Sequence, residues 1–284
     1  MTLVAVWRTD NRLMAIADTR IIRAPGNVLT EHGPKLLPLT ILCRQPGPAG
    51  FFDKEVYRAN VGFAYSGATL SALAAHALAS TLLSKLIGQP GAPPPSLHEI
   101  AYFVAGASAE YMRDVGQLSG QGGLFSAVVF GWCPTQNNLR AFELRPLIQE
   151  GQFQVDVDER VLAPIKVGGT AAQSAVIIGS SIARLAEDID RQLASAQEAG
   201  AHPIVAREAP KRALRSLITR GVDPAVGGAI QQAWATATGF EVVANMEPIT
   251  PRPPSTRNAG LFLLGFDTFD IQTVGHYQVA SEGL

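Results

Sequence analysis

Two long helical stretches, an alanine- and leucine-rich one over residues 68–87 and a second over 96–115, constrain this chain more than any other feature. In the first, Leu70, Leu73, Ala77, Leu78 and Leu82 recur at helical spacing. Gly88-Gln89-Pro90-Gly91-Ala92-Pro93-Pro94-Pro95 stops it, and Ser96 with Glu99 makes a capping box that opens the second. Helices joined by so short a breaker are expected to pack antiparallel on one face of a sheet. Before them, residues 35–42 read as a strand that Pro38 places at an edge or a bulge. Residues 44–58, with Pro46-Gly47-Pro48, read as an exposed loop, and 59–65 as the next strand. After them, 124–133 and 139–145 flank Pro134-Thr135-Gln136-Asn137-Asn138 as a hairpin, with further strands near 153–157 and 161–167. Helices are predicted over 172–197 and 209–220. Residues 229–244 then read as strand, Gly-containing turn and strand, although alanine and glutamine favour helix. Strands, two helices, strands, two helices and strands is the pattern of an α+β, four-layer α/β/β/α sandwich.

The chain opens with two apolar runs, residues 1–8 and 13–20, around the tetrad Thr9-Asp10-Asn11-Arg12. Asp and Asn supply turn chemistry, so the pair is predicted to be a β-hairpin that continues through Ile21-Ile22-Arg23 into a loop with Pro25-Gly26. Asp18 then lies across the hairpin from the terminus. Met1 precedes a residue small enough for methionine removal, and a chain beginning at Thr2 carries a hydroxyl and a free α-amine together, a nucleophile with its own base.

Thr-x-Val-Ala-Val at the start, Ala17-Asp18-Thr19-Arg20 and Gly33-Pro34-Lys35-Leu36 resemble the proteasome β-subunit family of N-terminal-nucleophile hydrolases, bacterial proteasome-related proteins included. The resemblance covers about residues 2–245 and leaves 246–284 as a C-terminal extension. It implies that Thr2 is the nucleophile, that Lys35 lowers the pKa of the terminal amine, that Asp18 holds Lys35, and that Arg20 braces the loop carrying Lys35. It implies an oxyanion site at the strand-to-helix turn Gly62–Ala68, with the Ser66 N–H as donor and Gly67 permitting close approach. Ile165–Gly169 resembles the stretch that opens the third helix. Asp223-Pro224-Ala225-Val226-Gly227-Gly228 resembles the D-x-x-S-G-G motif, with Val226 where the family has Ser, and the family places a hairpin after its Gly-Gly pair. The accessory Ser before the central hairpin has no clear counterpart: Leu124 falls there, with Ser126 two residues off. The substrate pocket carried over from the family has Ile21, Leu37, Ala64 and Ala68 as walls, which favours a neutral hydrophobic residue on the acyl side of the cut bond.

The function so implied is a threonine-type peptide hydrolase acting on peptides or unfolded protein inside a homo-oligomeric ring, stacked ring or open spiral. Small residues on several sides of the first two helices agree with close contact between subunits. Two other functions fit the same fold: a shell subunit that assembles without cutting, and a hydrolase of small amides. Whether an ATPase partner exists is not legible.

Composition sets the remaining bounds. A chain of 284 residues, 47% hydrophobic and 17% charged, is large enough for a sizeable core. A net charge of −1 with no basic run argues against nucleic acid or an anionic membrane as partner. Cys43 and Cys133 form no disulfide framework, and they and the scattered histidines lack metal-ligand spacing, so no cofactor or metal is predicted. With no apolar run of membrane-spanning length and no signal-peptide pattern, the expected location is the cytoplasm. Residues 248–258 read as a linker, and 260–266 and 271–279 as strands that extend a sheet edge, cover it or pair with a neighbouring subunit.

Overall fold

The opening hairpin forms as its turn chemistry dictates. Strands β1 (Leu3–Arg8) and β2 (Leu13–Asp18) pair antiparallel with Val4 opposite Ala17, and the Thr9 N–H closes the turn on Arg12 O at 2.9 Å. Every residue from Leu3 to Trp7 is at most 1% exposed, the mark of a strand covered on both faces. The computed structural model describes residues 2–24, 27–149, 152–248, 259–263, 266–267, 273–274 and 277–278. The Pro25-Gly26 turn, the linker over 249–258 and the fate of Met1 lie outside the described residues.

The fold is mixed α/β. A short hairpin of β3 (Ile21–Ala24) and β4 (Asn27–Thr30) follows β2, where the sequence reading has a strand extension over 21–23 running into a loop. Next come β5 (Leu36–Gln45), β6 (Lys54–Gly67), α1 (Thr69–Leu83), β7 (Leu86–Ile87) and α2 (Leu97–Ser119). Then follow β8 (Phe125–Cys133), β9 (Asn138–Gln149), β10 (Gln152–Arg160), α3 (Ala171–Ser174), β11 (Ala175–Gly179) and α4 (Ile182–Glu198). The body closes with α5 (Ile204–Arg207), α6 (Ala209–Arg220), β12 (Ile230–Thr236) and β13 (Gly239–Val243). One sheet has the order β11-β1-β2-β12-β13 and the other β10-β9-β8-β6-β5-β7.

Strand alternation sorts the core into three clusters. Phe63, Tyr65, Val129 and Phe142 of the six-stranded sheet pack against Ala72, Ala75 and Ala79 of α1 and Val104 of α2. Leu3, Ala5 and Trp7 pack against Leu185, Ile189 and Leu193 of α4 and Leu214 and Leu217 of α6. Val4, Val6, Ala64, Val128, Phe130, Ala233 and Ala235 meet between the two sheets. The capping box is present, with the Glu99 N–H on Ser96 Oγ at 3.2 Å and the Ser96 N–H on Glu99 Oε2 at 2.7 Å.

Several segments differ from the sequence reading, each for a physical reason. The expected loop over 44–58 shrinks because β5 and β6 run on to Gln45 and back from Lys54, with Arg44 opposite Glu55. At Pro38 the outer side of β5 is unpaired, since β7 reaches only Cys43 and Arg44; the bulge falls at Cys43/Arg44 instead. Helix α1 stops at Leu83, short of Ile87, while α2 runs past 115 until Gly120 takes φ 55° and ends it. Residues 161–167 form no strand beyond one parallel bridge between Arg8 and Pro164, because proline offers no N–H to continue the ladder. The largest difference is at 172–197, read as one helix. Val176-Ile177-Ile178 instead form β11, pairing with β1 from Leu3↔Gly179 to Trp7↔Ala175. Beyond the body, β14 (Asn245–Pro248), β15 (Ala259–Leu263) and β16 (Phe266–Asp267) make a small sheet, and β17 (Thr273–Val274) pairs with β18 (Tyr277–Gln278).

Candidate active site

The β1–β2 register places Asp18 across from Leu3, so its side chain reaches the residue before β1. Asp18 Oδ1 accepts the Leu3 N–H at 2.9 Å and the Thr2 hydroxyl, and Oδ2 accepts the N–H groups of Arg20 at 3.2 Å and Gly227 at 3.1 Å. The carboxylate is fully buried and held from four directions. Lys35 enters from the turn before β5. Its Nζ lies 3.1 Å from Asp18 Oδ1, donates to Arg20 O at 2.6 Å and contacts Thr2 Oγ. Thr2, Asp18 and Lys35 are thus brought together, all at 4% exposure or less.

Burial pushes the Lys35 ammonium well below the ordinary lysine pKa of 10.5, against the opposing pull of Asp18 and, more weakly, Glu31. Its contacts suit both protonation states. The ammonium has three N–H donors for Asp18, Arg20 O and Thr2 Oγ; the neutral amine has two for the first two and a lone pair for the Thr2 hydroxyl.

The backbone of Thr2 is fixed as firmly. Its carbonyl accepts Ser66 Oγ and the Ser180 N–H, each at 2.9 Å. Gly179, at φ +116°, is what lets β11 come this close, for a Cβ there would overlap Thr2 O. Ser66 therefore sits inside β6 and grips Thr2 through its hydroxyl. The cap of α1 is Ala68, without a side-chain cap bond. The Tyr65 N–H binds Lys35 O at 3.3 Å on the β5 side. Alternation along the strand then sends the Ser66 N–H toward β8 and the Gly67 N–H back toward the cleft, beyond the end of β5. Gly67 lines the cleft, and the Ser66 side chain is engaged with Thr2 O. Gly67 stands at φ +122°, and a Cβ there would lie 2.6 Å from Leu124 O and 2.7 Å from Phe125 Cα, so no other residue fits.

Arg20 clamps neighbouring segments: its guanidinium makes a bidentate pair with Glu31 at 2.9–3.1 Å and donates to Pro224 O at 3.1 Å. Asp223 lies behind Ser181. It accepts Ser181 Oγ at 2.7 Å and the Ala225 N–H at 2.9 Å; burial opposes its ionisation, but these bonds prevail and hold its pKa below the usual value.

Only part of the expected pocket is assembled. The cleft beside Thr2 is lined by Arg20, Ile21, Ile22, Lys35, Tyr65, Gly67 and Thr69. Ile21 is there. Ala64 is fully buried and faces the space between the sheets, and Leu37 packs into the α1–α2 cluster. Ala68 precedes the helix and leaves Thr69 to line the cleft. Tyr65 narrows the floor, with its hydroxyl on Pro34 O at 2.9 Å.

Sequence reasoning missed Ser180 and Ser181 because a helix was read through them. The triplet Gly179-Ser180-Ser181 after a β-branched run was the available signal, and Ser181 takes the left-handed conformation at φ 56°. Val226, where a serine is expected, is 2% exposed in the α4–α6 cluster. An apolar side chain there stabilises the fold by about 1.5–3 kcal/mol, and the hydroxyl on Asp223 comes from Ser181 instead. Gln231 was also missed: its buried amide binds the turn that carries Lys35. Among the described residues no group of His, Cys, Asp and Glu is placed to hold a metal, and no helix is long and apolar enough to cross a membrane.

No family model matches the chain, and no curated protein matches it. Solved structures do. The chain is similar to a Gly-1 mutant of Anbu from Hyphomicrobium sp. strain MC1, with 18% identity, a TM-score of 0.52 and coverage of 86% of this chain and 85% of that one. It is similar to Anbu, described as an ancestral β-subunit, from Yersinia bercovieri, at 15% identity, a TM-score of 0.50 and coverage of 84% and 86%. A structure of the helical assembly of the Anbu complex from Pseudomonas aeruginosa matches at 16% identity, a TM-score of 0.53 and coverage of 84% and 86%. These neighbours correct the resemblance read from the motifs. They are proteasome-like proteins of a distinct Anbu group, and no family model or curated protein supports placing the chain among the proteasome β-subunits. At such identities the likeness establishes the fold alone.

Proposed function

We propose that the chain is a threonine hydrolase that cleaves an amide bond, with Thr2 as nucleophile and Lys35 as the group that takes its proton. The observation that carries this reading is the buried contact of Thr2 Oγ with Lys35 Nζ and Asp18 Oδ1. A lysine with a lowered pKa is neutral in part of its population and can accept the hydroxyl proton. Thr2 Oγ then attacks the substrate carbonyl carbon, and the Gly67 N–H faces the developing oxyanion. Lys35 returns the proton to the leaving amine, and water cleaves the resulting ester.

The reading requires the peptide bond before Thr2 to be cut. The freed amine activates the water in the second half of the reaction. A cleft narrowed by Tyr65 and walled by Ile21 and Ile22 favours a small neutral residue on the acyl side, which narrows the neutral hydrophobic preference implied by the resemblance. The same narrowness suits a small amide, so parallel panels of peptides and small amides separate the two substrates.

The two sheets and the helix pairs outside them support a four-layer α/β/β/α sandwich, with 2–245 as the hydrolase domain and 246–284 as an extension. Self-assembly is part of the proposal. Helices α1 and α2 leave Leu70, Tyr102 and Leu118 exposed at 73, 54 and 91%, apolar side chains available for contact with another copy. Light scattering on the purified protein at micromolar concentration tests this; a monomer would refute it. The activity itself is tested by peptide hydrolysis in the wild type and Thr2→Ala, with N-terminal sequencing of both.

A further inference from the structure

Residues that alternate on β12 toward the space between the sheets are apolar, Ala233 and Ala235 among them, with one exception. Gln231 shares their face and is 1% exposed. Its amide makes three hydrogen bonds, all to one short turn. Oε1 accepts the N–H groups of Lys35 at 2.9 Å and Leu36 at 3.2 Å, and Nε2 donates to Gly33 O. These bonds cross between the sheets: β12 belongs to the five-stranded sheet, and the turn leads into β5 of the other.

The same strand lies beside Asp18, with Ile230 opposite Asp18 and Gln231 opposite Ala17. One element therefore sets the height of the carboxylate through its ladder and the height of the lysine backbone through one side chain. With the Lys35 N–H on Gln231 and the Lys35 carbonyl on the Tyr65 N–H, both backbone groups of that residue are taken. Its side chain can then leave the turn in only one direction, toward Thr2.

We infer that Gln231 is a positioning residue that holds Lys35 Nζ against Thr2 Oγ across the gap between the two sheets; this rests on the reading of Lys35 as the proton acceptor. Charged groups acting on Lys35 are Asp18, Glu31 and Arg20, and Gln231 adds direction without adding charge.

The test uses the full chain and three variants. Gln231→Met keeps the volume and removes the amide, Gln231→Asn keeps the amide but falls short of the turn, and Gln231→Glu puts a carboxylate against it. Two readouts are made: kcat and KM on the best wild-type peptide, and titration of Lys35 by NMR with 13Cε-lysine, its signal identified as the one missing in Lys35→Met. Met and Asn are expected to lower kcat by at least about tenfold with KM nearly unchanged, since a misplaced catalytic group penalises the transition state. All three should raise the Lys35 midpoint toward that of free lysine. Folded variants with wild-type kcat and an unmoved Lys35 midpoint would overturn the inference, as would failure of all three to fold, which marks a purely structural role. A wild type that hydrolyses nothing refutes the proposed activity instead, and the Lys35 titration still decides for or against Gln231.

Discussion

Lys35 Nζ stands 3.1 Å from Asp18 Oδ1 with both side chains no more than 1% exposed, and the Thr2 hydroxyl touches both. The attraction of such a pair roughly offsets what its burial costs, so a buried ion pair is weak evidence of a stabilising role. Placed on a hydroxyl, it is better explained by chemistry.

The two partners differ in what else they hold. The Asp18 carboxylate also accepts the N–H groups of Leu3, Arg20 and Gly227, whereas Lys35 Nζ donates to Arg20 O besides the site. Asp18→Ala is therefore expected to cost about 3–5 kcal/mol of stability, and Lys35→Met clearly less, as denaturant titration would show. Both should abolish hydrolysis. Equal stability losses would contradict the assignment of bonds to Asp18.

Lys35→Arg should not restore turnover. A guanidinium stays charged at all working pH values, and its planar fork does not fit where a compact amine donates to Arg20 O. Activity in that variant within about tenfold of wild type would rule out Lys35 as the proton acceptor.

The pH dependence follows from the direction of the Lys35 shift. The neutral amine is the active form, so kcat/KM should rise with pH through a pKa below 10.5. Stability has the same sign. Between the folded pKa and 10.5 the unfolded chain keeps the lysine proton and the folded chain does not, so raising the pH favours folding across that window. The buried ammonium weighs most below the folded pKa. Wild type should gain stability on Lys35→Met as the pH climbs, and a gap that widened in the other direction would reverse the account.

Much of the site was legible because it depends on local order. Turn chemistry at Thr9–Arg12 set the hairpin register, and the register alone brings Asp18 beside Thr2. The pocket was less legible, for a reason of parity. Ala64 and Tyr65 are adjacent in β6, and a step of one residue along a strand exchanges the intersheet face for the face covered by α1 and α2, from which Tyr65 also reaches the cleft. The same one-residue step separates Ala68 from Thr69. Strand β11 was hidden by composition: Ala171-Ala172-Gln173-Ser174 favours helix, and only the unpaired edge of β1 recruits Val176-Ile177-Ile178 as a strand. Ser180 and Ser181 were lost with it.

Gly179→Ala should act on the site through the backbone of Thr2, leaving the Thr2, Asp18 and Lys35 side chains in place. Its Cβ would strike Thr2 O and Ser66 Oγ, and the φ of +116° is strained for any side chain. The expected result is a folded protein with kcat lowered by about 100-fold, as a displacement near 1 Å can produce. Steady-state kinetics with a melting curve would check it, and wild-type turnover would mean that β11 does not position Thr2.

Specificity is expected to follow the narrow cleft. Fluorogenic peptides with Ala or Ser on the acyl side should outrun those with Leu or Phe, and Arg or Asp should be poorest. Ile21→Ala should shift the order toward Leu, by about 1–3 kcal/mol for each methylene accommodated. A wild-type enzyme that prefers Phe would place the acyl side elsewhere.

The nucleophile is the central claim, and the covalent intermediate reports on it most directly. The purified protein is treated with a peptide β-lactone, which acylates an activated hydroxyl and stays attached, then digested and analysed by mass spectrometry. The expected outcome is one adduct on the fragment that begins with Thr2, formed by wild type, absent in Thr2→Ala and lost in Lys35→Met. An adduct on another residue, or peptide hydrolysis by Thr2→Ala at the wild-type rate, would contradict it.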